Sequence, residues 1–383
     1  MKEKIDISIV PVKIDASGEK GSNANVLFPA SVLEVQQLVK AGNSIYIRGG
    51  GTGFRGGCVA HKNSIVIDMK KFDSLYDVDL GKSIAYVGVG ITLDELNRKV
   101  SKYGLEFPVD LASKKVATIG GMIAMNASDS REMKYGKTGD WIQELEAVKG
   151  NGDLVKVGIT DMSDFSGVEG ISGIIVNAKV RLVEKKKRTA SFFKVDNFHR
   201  VIEIAKKLKL NKNVSMIEFY DKKVSKFLDL EEGYYILVEY ESDEGRLKGE
   251  DYIKILKLKK SVYFKLMSNN FNYIEDFKLY LEKLDSVVDY LEELKIPFTI
   301  SLGNGVVHPF LNKVQKKLLS SIYRLVRHNQ GKLYGKFGVG VMKREHVDSI
   351  DKKVMFSMKK RYDSEFKFNP DVFVNIKEAA ELK

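Results

Sequence analysis

The run of residues in this sequence best suited to chemistry is IRGGGTGFRGG, residues 47–57, which follows the strand-like segment SIYIR. Six glycines within residues 49–57 let backbone N–H groups converge closely on an anion, and Arg48 and Arg55 add positive charge. This pattern predicts a phosphate or pyrophosphate site. It lacks the Gly-Lys-Ser/Thr of a P-loop and does not lead directly into a helix, as G-x-G-x-x-G does. A tight glycine turn between two strands is the structural alternative.

A second unusual segment, residues 110–139, is rich in small side chains. They are Ala112, Ser113, Ala117, Thr118, Gly120, Gly121, Ala124, Ala127 and Gly136. Such a segment either lets backbones pack tightly or leaves room for a large flat ligand.

The elements around these segments alternate between strands and helices. Capping-box patterns at Ser31/Glu34 and Thr92/Glu95 predict helix starts. Segments 44–48, 64–68 and 85–90 have the β-branched character of strands. The first half of the chain is therefore predicted to be mixed α/β.

The second half has a different pattern. Residues 198–210 predict a helix, residues 234–240 predict a strand, and apolar spacing over 275–295 predicts another helix. The charged run EKKKR, residues 184–188, is a candidate domain junction. The last forty residues return to helix and end in a loop at 368–371.

Length and composition indicate a globular protein of two or three domains, with 383 residues, 44% apolar and 30% charged. No apolar run approaches the roughly 18 residues of a membrane span, and the first ten residues lack the apolar core of a secretory signal. The single cysteine, Cys58, excludes an internal disulfide and a chain-borne iron–sulfur site. We expect a cytoplasmic protein, with contact to a membrane surface left open.

The net charge of +12 is concentrated near the end of the chain, because residues 310–383 hold 17 Lys and Arg against 8 Asp and Glu. A solvated basic surface explains this excess. So does an anionic cofactor or substrate, an acidic redox partner or a membrane surface. No helix-turn-helix, zinc-finger or RNP-like pattern accompanies the charge, so no nucleic-acid partner is expected.

Residues 47–57 resemble the pyrophosphate loop of the PCMH-type (vanillyl-alcohol-oxidase-type) FAD-binding proteins, within the glycolate/D-lactate dehydrogenase branch. The resemblance continues in order over most of the chain. Its further blocks are FPVDLASKKVATIGGMIAMNA (107–127), KYGKTGDWIQELEAVKGNGDLV (134–155), EGISGIIVNAKVRL (169–182), IEFYD (217–221), GVGVMKRE (338–345) and FNPD (368–371).

The resemblance implies an α+β fold with three parts. Residues 1–184 would form a two-subdomain PCMH-type FAD-binding domain. Residues 185–335 would form an α+β, ferredoxin-like cap or substrate domain. Residues 336–383 would be a C-terminal segment, partly helical, that packs back on the FAD domain.

The resemblance also implies the residues that bind FAD. The pyrophosphate would be held by Arg48, Gly49, Gly50, Gly51, Thr52, Gly53, Phe54, Arg55, Gly56 and Gly57. The lining of the FAD would be Pro108, Asp110, Ser113, Thr118, Gly120, Gly121, Ala124 and Asn126. The adenine side would be approached by Gly173, Ile174 and Ile175. The loop has no histidine, and His61 lies just beyond it, so we expect non-covalent FAD.

The catalytic block departs from the family pattern. Relatives carry H-x-G-D-G-N-x-H and later G-E-H-G-x-G, whose two histidines and glutamate are implicated in binding a divalent metal. This chain has SLGNGVVH (301–308) and GKFGVG (335–340). Only His308 is retained, while Ser301 and Lys336 stand at the two other ligand positions. An ammonium cannot coordinate a metal and repels it, so we predict no metal.

Two interpretations remain open. In the first, the chain is an FAD-dependent dehydrogenase of a small anionic hydroxy compound such as a 2-hydroxy acid. His308 would be the general base and Lys336 the cation that replaces the metal. Electrons would leave to an iron–sulfur subunit, an electron-transfer flavoprotein, a quinone or oxygen. In the second, the chain is an electron-relaying or non-catalytic FAD subunit of a larger, hetero-oligomeric oxidoreductase.

Overall fold

The computed structural model describes residues 6–8, 15–22, 24–60 and 64–374. In these ranges the strands are β1 Asp6–Ser8, β2 Asn25–Phe28, β3 Ser44–Arg48, β4 Ser64–Asp68, β5 Leu75–Asp79, β6 Ile84–Gly88, β7 Leu105–Glu106, β8 Ile142–Val148, β9 Leu154–Gly158, β10 Ile174–Arg181, β11 Val183–Glu184, β12 Thr189–Val195, β13 Val214–Tyr220, β14 Tyr234–Tyr240, β15 Tyr273–Ile274, β16 Phe277–Lys278, β17 Phe298–Ser301 and β18 Val306–Leu311. The helices are α1 Val32–Lys40, α2 Leu93–Val100, α3 Ile119–Ala124, α4 Glu132–Tyr135, α5 Phe198–Leu208, α6 Lys222–Phe227, α7 Gly249–Ser268, α8 Asp285–Glu293, α9 Lys316–His328 and α10 Ser349–Tyr362. The chain is thus a mixture of helix and sheet, as the sequence predicted.

The chain divides into two units. Among the described residues, the first unit holds those up to 127, then 137–185, and those from 337 onward. The second unit holds residues 128–136 and 186–336. No pattern in the sequence indicated that the short segment 128–136, with α4, groups with the second unit.

The first unit contains a small sheet that presents the glycine-rich loop. Its strand order is β1-β2-β4-β3, with β2 and β3 both parallel to β4. Helix α1 joins β2 to β3, and its start is fixed by the Ser31 hydroxyl, which accepts the Glu34 N–H at 3.3 Å. The expected capping box is formed only in part: the Ser31 hydroxyl caps the helix as predicted, but the Glu34 carboxylate accepts the N–H of Ala30 at 2.8 Å and not that of Ser31.

A second sheet of the first unit is antiparallel, with the order β5-β6-β10-β8-β9. Its inward side chains join those of α1, α2 and α3 in one core, where Val35, Ile45, Val87, Ile123 and Val176 are fully buried. Each such side chain contributes about 1.5–3 kcal/mol by leaving water. Helix α2 is capped by Thr92, which accepts the Glu95 N–H at 3.2 Å, as the second capping box predicted.

The second unit is built on a seven-stranded sheet in the order β12-β14-β13-β17-β18-β15, with β16 also paired to β18. The prediction of a helix over residues 275–295 is wrong for the first part of that segment. Residues 273–278 form β15 and β16 against β18, and only Asp285–Glu293 is an α-helix. Pairing with β18 buries Phe277 completely, and this tertiary contact overrides the helical spacing.

No helix in the described part of the chain combines the length and apolar character that a membrane crossing requires.

Candidate functional site

The glycine-rich loop begins where β3 ends, and the segment 367–369 holds this end of the strand. The Ile45 N–H donates to the Lys367 carbonyl at 2.8 Å, and the Asn369 N–H donates to the Ile45 carbonyl at 2.8 Å. The Ile47 N–H donates to Oδ1 of Asn369 at 3.0 Å. These bonds fix the point at which the backbone leaves the sheet for the loop.

Three consecutive glycines of the loop leave no room for a side chain. A Cβ at Gly49 would lie 2.4 Å from Oγ1 of Thr118, and one at Gly50 would lie 2.1 Å from the Val116 carbonyl oxygen. Gly51 has a φ of +64°, and its Cβ would lie 2.1 Å from the Arg48 guanidinium. The loop backbone therefore lies directly against the segment that precedes α3, and only glycine permits this approach.

A cavity opens beside this contact. It is lined by Ile47, Arg48, Gly49, Met69, Val89, Thr118, Gly120, Gly121, Ala124, Glu169, Gly170, Gly173, Ile175 and Asn369. Eight of the residues that the sequence assigned to FAD are in this lining, from three separate segments: Arg48, Gly49, Thr118, Gly120, Gly121, Ala124, Gly173 and Ile175. A lining of glycines, one arginine and small side chains fits a dinucleotide with a negatively charged pyrophosphate.

The other residues assigned to FAD are not part of this lining. They are Gly50, Gly51, Thr52, Gly53, Phe54, Arg55, Gly56, Gly57, Pro108, Asp110, Ser113, Asn126 and Ile174. Asn126 has a φ of +43°, and its Oδ1 accepts the Gly139 N–H at 2.9 Å. Asp110 lies 3.5 Å from the Lys114 ammonium, and Ile174 is fully buried in β10. His61 lies outside the described residues.

The side chain of Arg55 is buried, with 2% of its surface exposed. Its NH1 donates to the Phe54 carbonyl at 2.9 Å, and its guanidinium carbon lies 5.4 Å from the centre of the Phe337 ring. The Arg55 carbonyl accepts the Val341 N–H at 3.0 Å. Arg55 thus ties the glycine loop to residues 337–341.

Glu169 ties a third segment to the same place. Its two carboxylate oxygens accept the Val339 and Gly340 N–H groups at 2.7 and 2.8 Å, and its carbonyl accepts Nδ2 of Asn369 at 2.6 Å. Sequence reasoning assigned no role to Glu169. Its one signal was a carboxylate inside the otherwise small and apolar run 168–175.

We expect Gly50→Ala to raise the dissociation constant of FAD by about tenfold to a hundredfold. The added methyl group would force the loop away from Val116, and overpacking of this kind costs about 1–3 kcal/mol. The measurement is a titration of the apoprotein with FAD, followed by flavin fluorescence. Gly158→Ala is the matched control, because a Cβ there meets nothing within 4 Å. Equal FAD affinity in both variants would contradict this account of the loop.

In the second unit, one face of the central sheet carries polar side chains. Strand pairing sets Glu218 opposite Ser301, and it sets Thr299 opposite His308. Because side chains alternate along a strand, Glu218, Tyr220, Ser301 and His308 all share this face. Ile217, Phe219 and Ile300 share the other, apolar face.

A hydrogen-bonded chain links Lys336 to this polar face. Nζ of Lys336 donates to Oγ of Ser301 at 2.7 Å, and Ser301 donates to Oε1 of Glu218 at 2.6 Å. The buried Asp276 carboxylate accepts the Gly335 and Lys336 N–H groups at 2.8 and 2.7 Å. Burial lowers the pKa of Lys336, while the nearby Glu218 carboxylate opposes this shift.

Ser301 and Lys336, which the resemblance assigns to two metal-ligand positions of the family, are therefore in direct contact. Among the described residues, no group of three or more His, Cys, Asp or Glu side chains is arranged to hold a metal ion. His308 is buried, with 8% of its surface exposed.

Helix α4 supplies further polar groups to the second unit. Oε2 of Glu132 accepts Nδ2 of Asn304 at 2.7 Å and Oγ of Ser128 at 2.6 Å. The Lys278 ammonium lies 3.6 Å from Oε1 of Glu132. Glu132 thereby fixes the turn between β17 and β18, which precedes His308.

A buried ion pair anchors α4 to β14. Nε and NH2 of Arg131 donate to the two carboxylate oxygens of Glu239 at 2.7 and 2.9 Å, and Ser215 and Tyr252 each donate to Glu239 at 2.7 Å. Burial opposes ionisation, but Arg131 and the hydrogen bonds lower the pKa of Glu239 to about 2. Sequence reasoning missed Arg131, Glu218, Glu239 and Asp276. The one signal for Glu218 and Glu239 was a charged residue inside an otherwise apolar strand.

Comparison with known proteins adds three findings. Residues 24–158 match the family model described as an FAD binding domain. A D-lactate dehydrogenase of Archaeoglobus fulgidus is 33% identical over 49% of this chain and 46% of its own length. A glycolate oxidase subunit of Bacillus subtilis is 35% identical over 36% of this chain and 31% of its own length. This chain thus aligns with less than half of each of these relatives.

Among solved structures, an alkyldihydroxyacetonephosphate synthase superposes with a TM-score of 0.67 at 17% identity, over 92% of this chain and 77% of that one. This likeness shows a shared fold. The FAD-domain match contains the whole glycine loop and the Thr118–Ala124 part of the cavity lining, so FAD is the cofactor of this domain. The chain is therefore similar over residues 24–158 to the FAD binding domain family, and parts of it are similar to a D-lactate dehydrogenase and to a glycolate oxidase subunit.

Proposed function

We propose that this chain is an FAD-dependent dehydrogenase that oxidises a small anionic hydroxy compound, such as a 2-hydroxy acid. The proposal rests mainly on the hydrogen bonds that connect Lys336 to Ser301 and Ser301 to Glu218, on the sheet face that also bears His308. These bonds bring the Lys336 ammonium to the sheet face that also bears the buried imidazole of His308. The names of the relatives support the substrate class.

The two side chains have distinct tasks in this proposal. Bound FAD would supply the acceptor for the hydride of the carbon that bears the hydroxyl. The imidazole of His308 takes the hydroxyl proton, so that the alcohol becomes a carbonyl as one hydride and one proton leave it. The Lys336 ammonium holds a substrate oxygen and stabilises its developing negative charge without a metal.

The two units also have distinct tasks in the proposal. The first unit would bind FAD through its two subdomains, one for each sheet. The second unit would be the ferredoxin-like cap that recognises substrate, and the segment 336–383 would return the chain to the FAD domain. Within the first unit, Phe337 packs against Phe54 of the glycine loop with ring centres 4.6 Å apart.

We propose that FAD is held without a covalent bond. Residues 49–60 contain no histidine. Their cysteine, Cys58, is not a ready nucleophile, because burial raises the pKa of its thiol to about 12 and keeps it protonated at neutral pH. Denaturation in acid should release all of the flavin.

The electrons must then pass to another molecule. A single cysteine gives this chain no iron–sulfur cluster of its own. An iron–sulfur subunit, an electron-transfer flavoprotein or a quinone is therefore the proposed acceptor. The basic residues of 310–383 would favour an acidic partner surface or an anionic membrane.

The second candidate function is an electron-relaying FAD subunit. It is favoured by the carboxylates around Lys336, since Glu218, Asp129 and Glu132 all act on this ammonium. In that case the Lys336 ammonium is neutralised by carboxylates of this chain, and it binds no substrate anion.

Anaerobic mixing of the FAD-loaded protein with glycolate, D-lactate and D-2-hydroxyglutarate separates the two functions. The dehydrogenase predicts loss of the oxidised flavin absorbance with one of them, and a fall of about 10²–10⁴ in its rate in His308→Ala. His199→Ala is the control, because the side chain of His199 is 83% exposed. No reduction by any hydroxy acid, together with co-purification of a cysteine-rich chain, would favour the relay subunit.

A further inference from the structure

Tyr220 ends β13 on the polar face of the second unit, and only 3% of its surface is exposed. Its position is fixed from both sides. It pairs with Thr299 of β17 and with Tyr235 of β14. The next residue, Asp221, caps α6 by accepting the Val224 N–H at 2.8 Å.

The hydroxyl of Tyr220 is buried, and none of the described residues offers it a hydrogen bond. An unsatisfied buried hydroxyl costs about 1–3 kcal/mol, whereas phenylalanine would fill the same space without this cost. Two tyrosines of the neighbouring strand β14 are satisfied, since Tyr234 donates to Glu292 and Tyr235 donates to the Glu231 carbonyl at 3.1 Å.

The surroundings of Tyr220 indicate what the missing partner is. The Glu218 carboxylate acts on the Tyr220 hydroxyl and, with burial, raises its pKa well above the usual value. The hydroxyl is therefore a neutral donor at every physiological pH. Glu218 already accepts Ser301, which in turn accepts the Lys336 ammonium. The Tyr220 hydroxyl and the Lys336 ammonium thus both act beside one carboxylate, and a ligand that reaches both must offer acceptor oxygens.

We propose that Tyr220 is a substrate-binding residue whose hydroxyl donates a hydrogen bond to an oxygen of the carboxylate-bearing ligand. The inference rests on the proposed function for the ligand class. A neutral donor and a cation that both act beside the Glu218 carboxylate suit a 2-hydroxy acid, which offers a carboxylate and a hydroxyl oxygen close together. It also explains why the chain retains an unsatisfied hydroxyl in a buried strand.

The test compares Tyr220→Phe with Tyr234→Phe in the FAD-loaded protein. Oxalate serves as a redox-inert probe, and its affinity is measured by calorimetry, while stability is measured by thermal unfolding. Tyr220→Phe should weaken oxalate binding by about tenfold, the value of one hydrogen bond, and should unfold at the same or a higher temperature than the wild type. Tyr234→Phe should unfold at a lower temperature and bind oxalate as the wild type does.

Unchanged oxalate affinity in Tyr220→Phe would overturn the inference, as would a wild type that does not bind oxalate. A lower unfolding temperature in Tyr220→Phe would also overturn it, because it would show that the hydroxyl has a structural partner. The proposed dehydrogenase activity is judged separately by flavin reduction. If the protein reduces its flavin with a hydroxy acid but Tyr220→Phe keeps full oxalate affinity, the proposed role of Tyr220 is refuted and the proposed dehydrogenase activity is not.

Discussion

Lys336→Met should lower kcat/KM for the accepted hydroxy acid by about 10²–10³, the usual cost of removing one charge-stabilising group from a buried site. Methionine fills a similar volume but cannot hold a substrate oxygen. Ser301 keeps its bond to Glu218 in this variant, so the sheet face stays intact. Steady-state kinetics with a dye acceptor measure the effect.

Lys278→Met is the matched control for this prediction. Lys278 also lies near a carboxylate of the second unit, 3.6 Å from Glu132, but its side chain is 42% exposed. We expect it to change kcat/KM by less than about fivefold, as for a partly exposed ion pair. Equal losses of kcat/KM in Lys336→Met and Lys278→Met would contradict a specific role of Lys336, because they would show that only the net positive charge of the second unit matters.

Arg131→Met should lower the free energy of unfolding by about 3–5 kcal/mol, the cost of leaving a buried carboxylate without its partner. Glu239 is fully buried, and Arg131 supplies two of its hydrogen bonds. Urea unfolding followed by circular dichroism measures the loss. Arg200→Met removes an exposed ion pair with Glu203 and should cost less than about 1 kcal/mol.

The pH dependence of Arg131→Met gives the same account an independent check. In the wild type the pKa of Glu239 is lowered to about 2, so its stabilising contribution is complete above pH 4.5 and is lost as the pH falls towards 2. Without Arg131, burial raises this pKa instead. The variant should then become more stable as the pH falls from 7 to 5. A variant that loses stability over that range would contradict the role of the pair.

Much of the first unit could be predicted from the sequence because its signals are local. The glycine run, its preceding strand and the caps at Ser31 and Thr92 each depend on residues a few positions apart. The family resemblance added the segments around Thr118 and Gly173, which line the same cavity as Gly49.

The polar network of the second unit could not be predicted in this way. Lys336, Ser301 and Glu218 are separated by 35 and 83 positions, and only the strand register sets them on one face. Substitution of the metal-ligand pattern drew attention to Ser301 and Lys336 but gave no indication of Glu218 or Asp276. The ion pair of Arg131 could not be predicted for a related reason. The segment 128–136 is separated in sequence from the rest of the second unit, so no local pattern relates Arg131 to Glu239.

The most direct test of the central claim is anaerobic reduction of the bound flavin by a 2-hydroxy acid, with and without deuterium at the carbon that bears the hydroxyl. We expect D-lactate, glycolate or D-2-hydroxyglutarate to bleach the oxidised flavin band in a single turnover, and we expect the deuterated substrate to do so severalfold more slowly. A flavin that stays oxidised with all three acids, while dithionite reduces it, would contradict the claim.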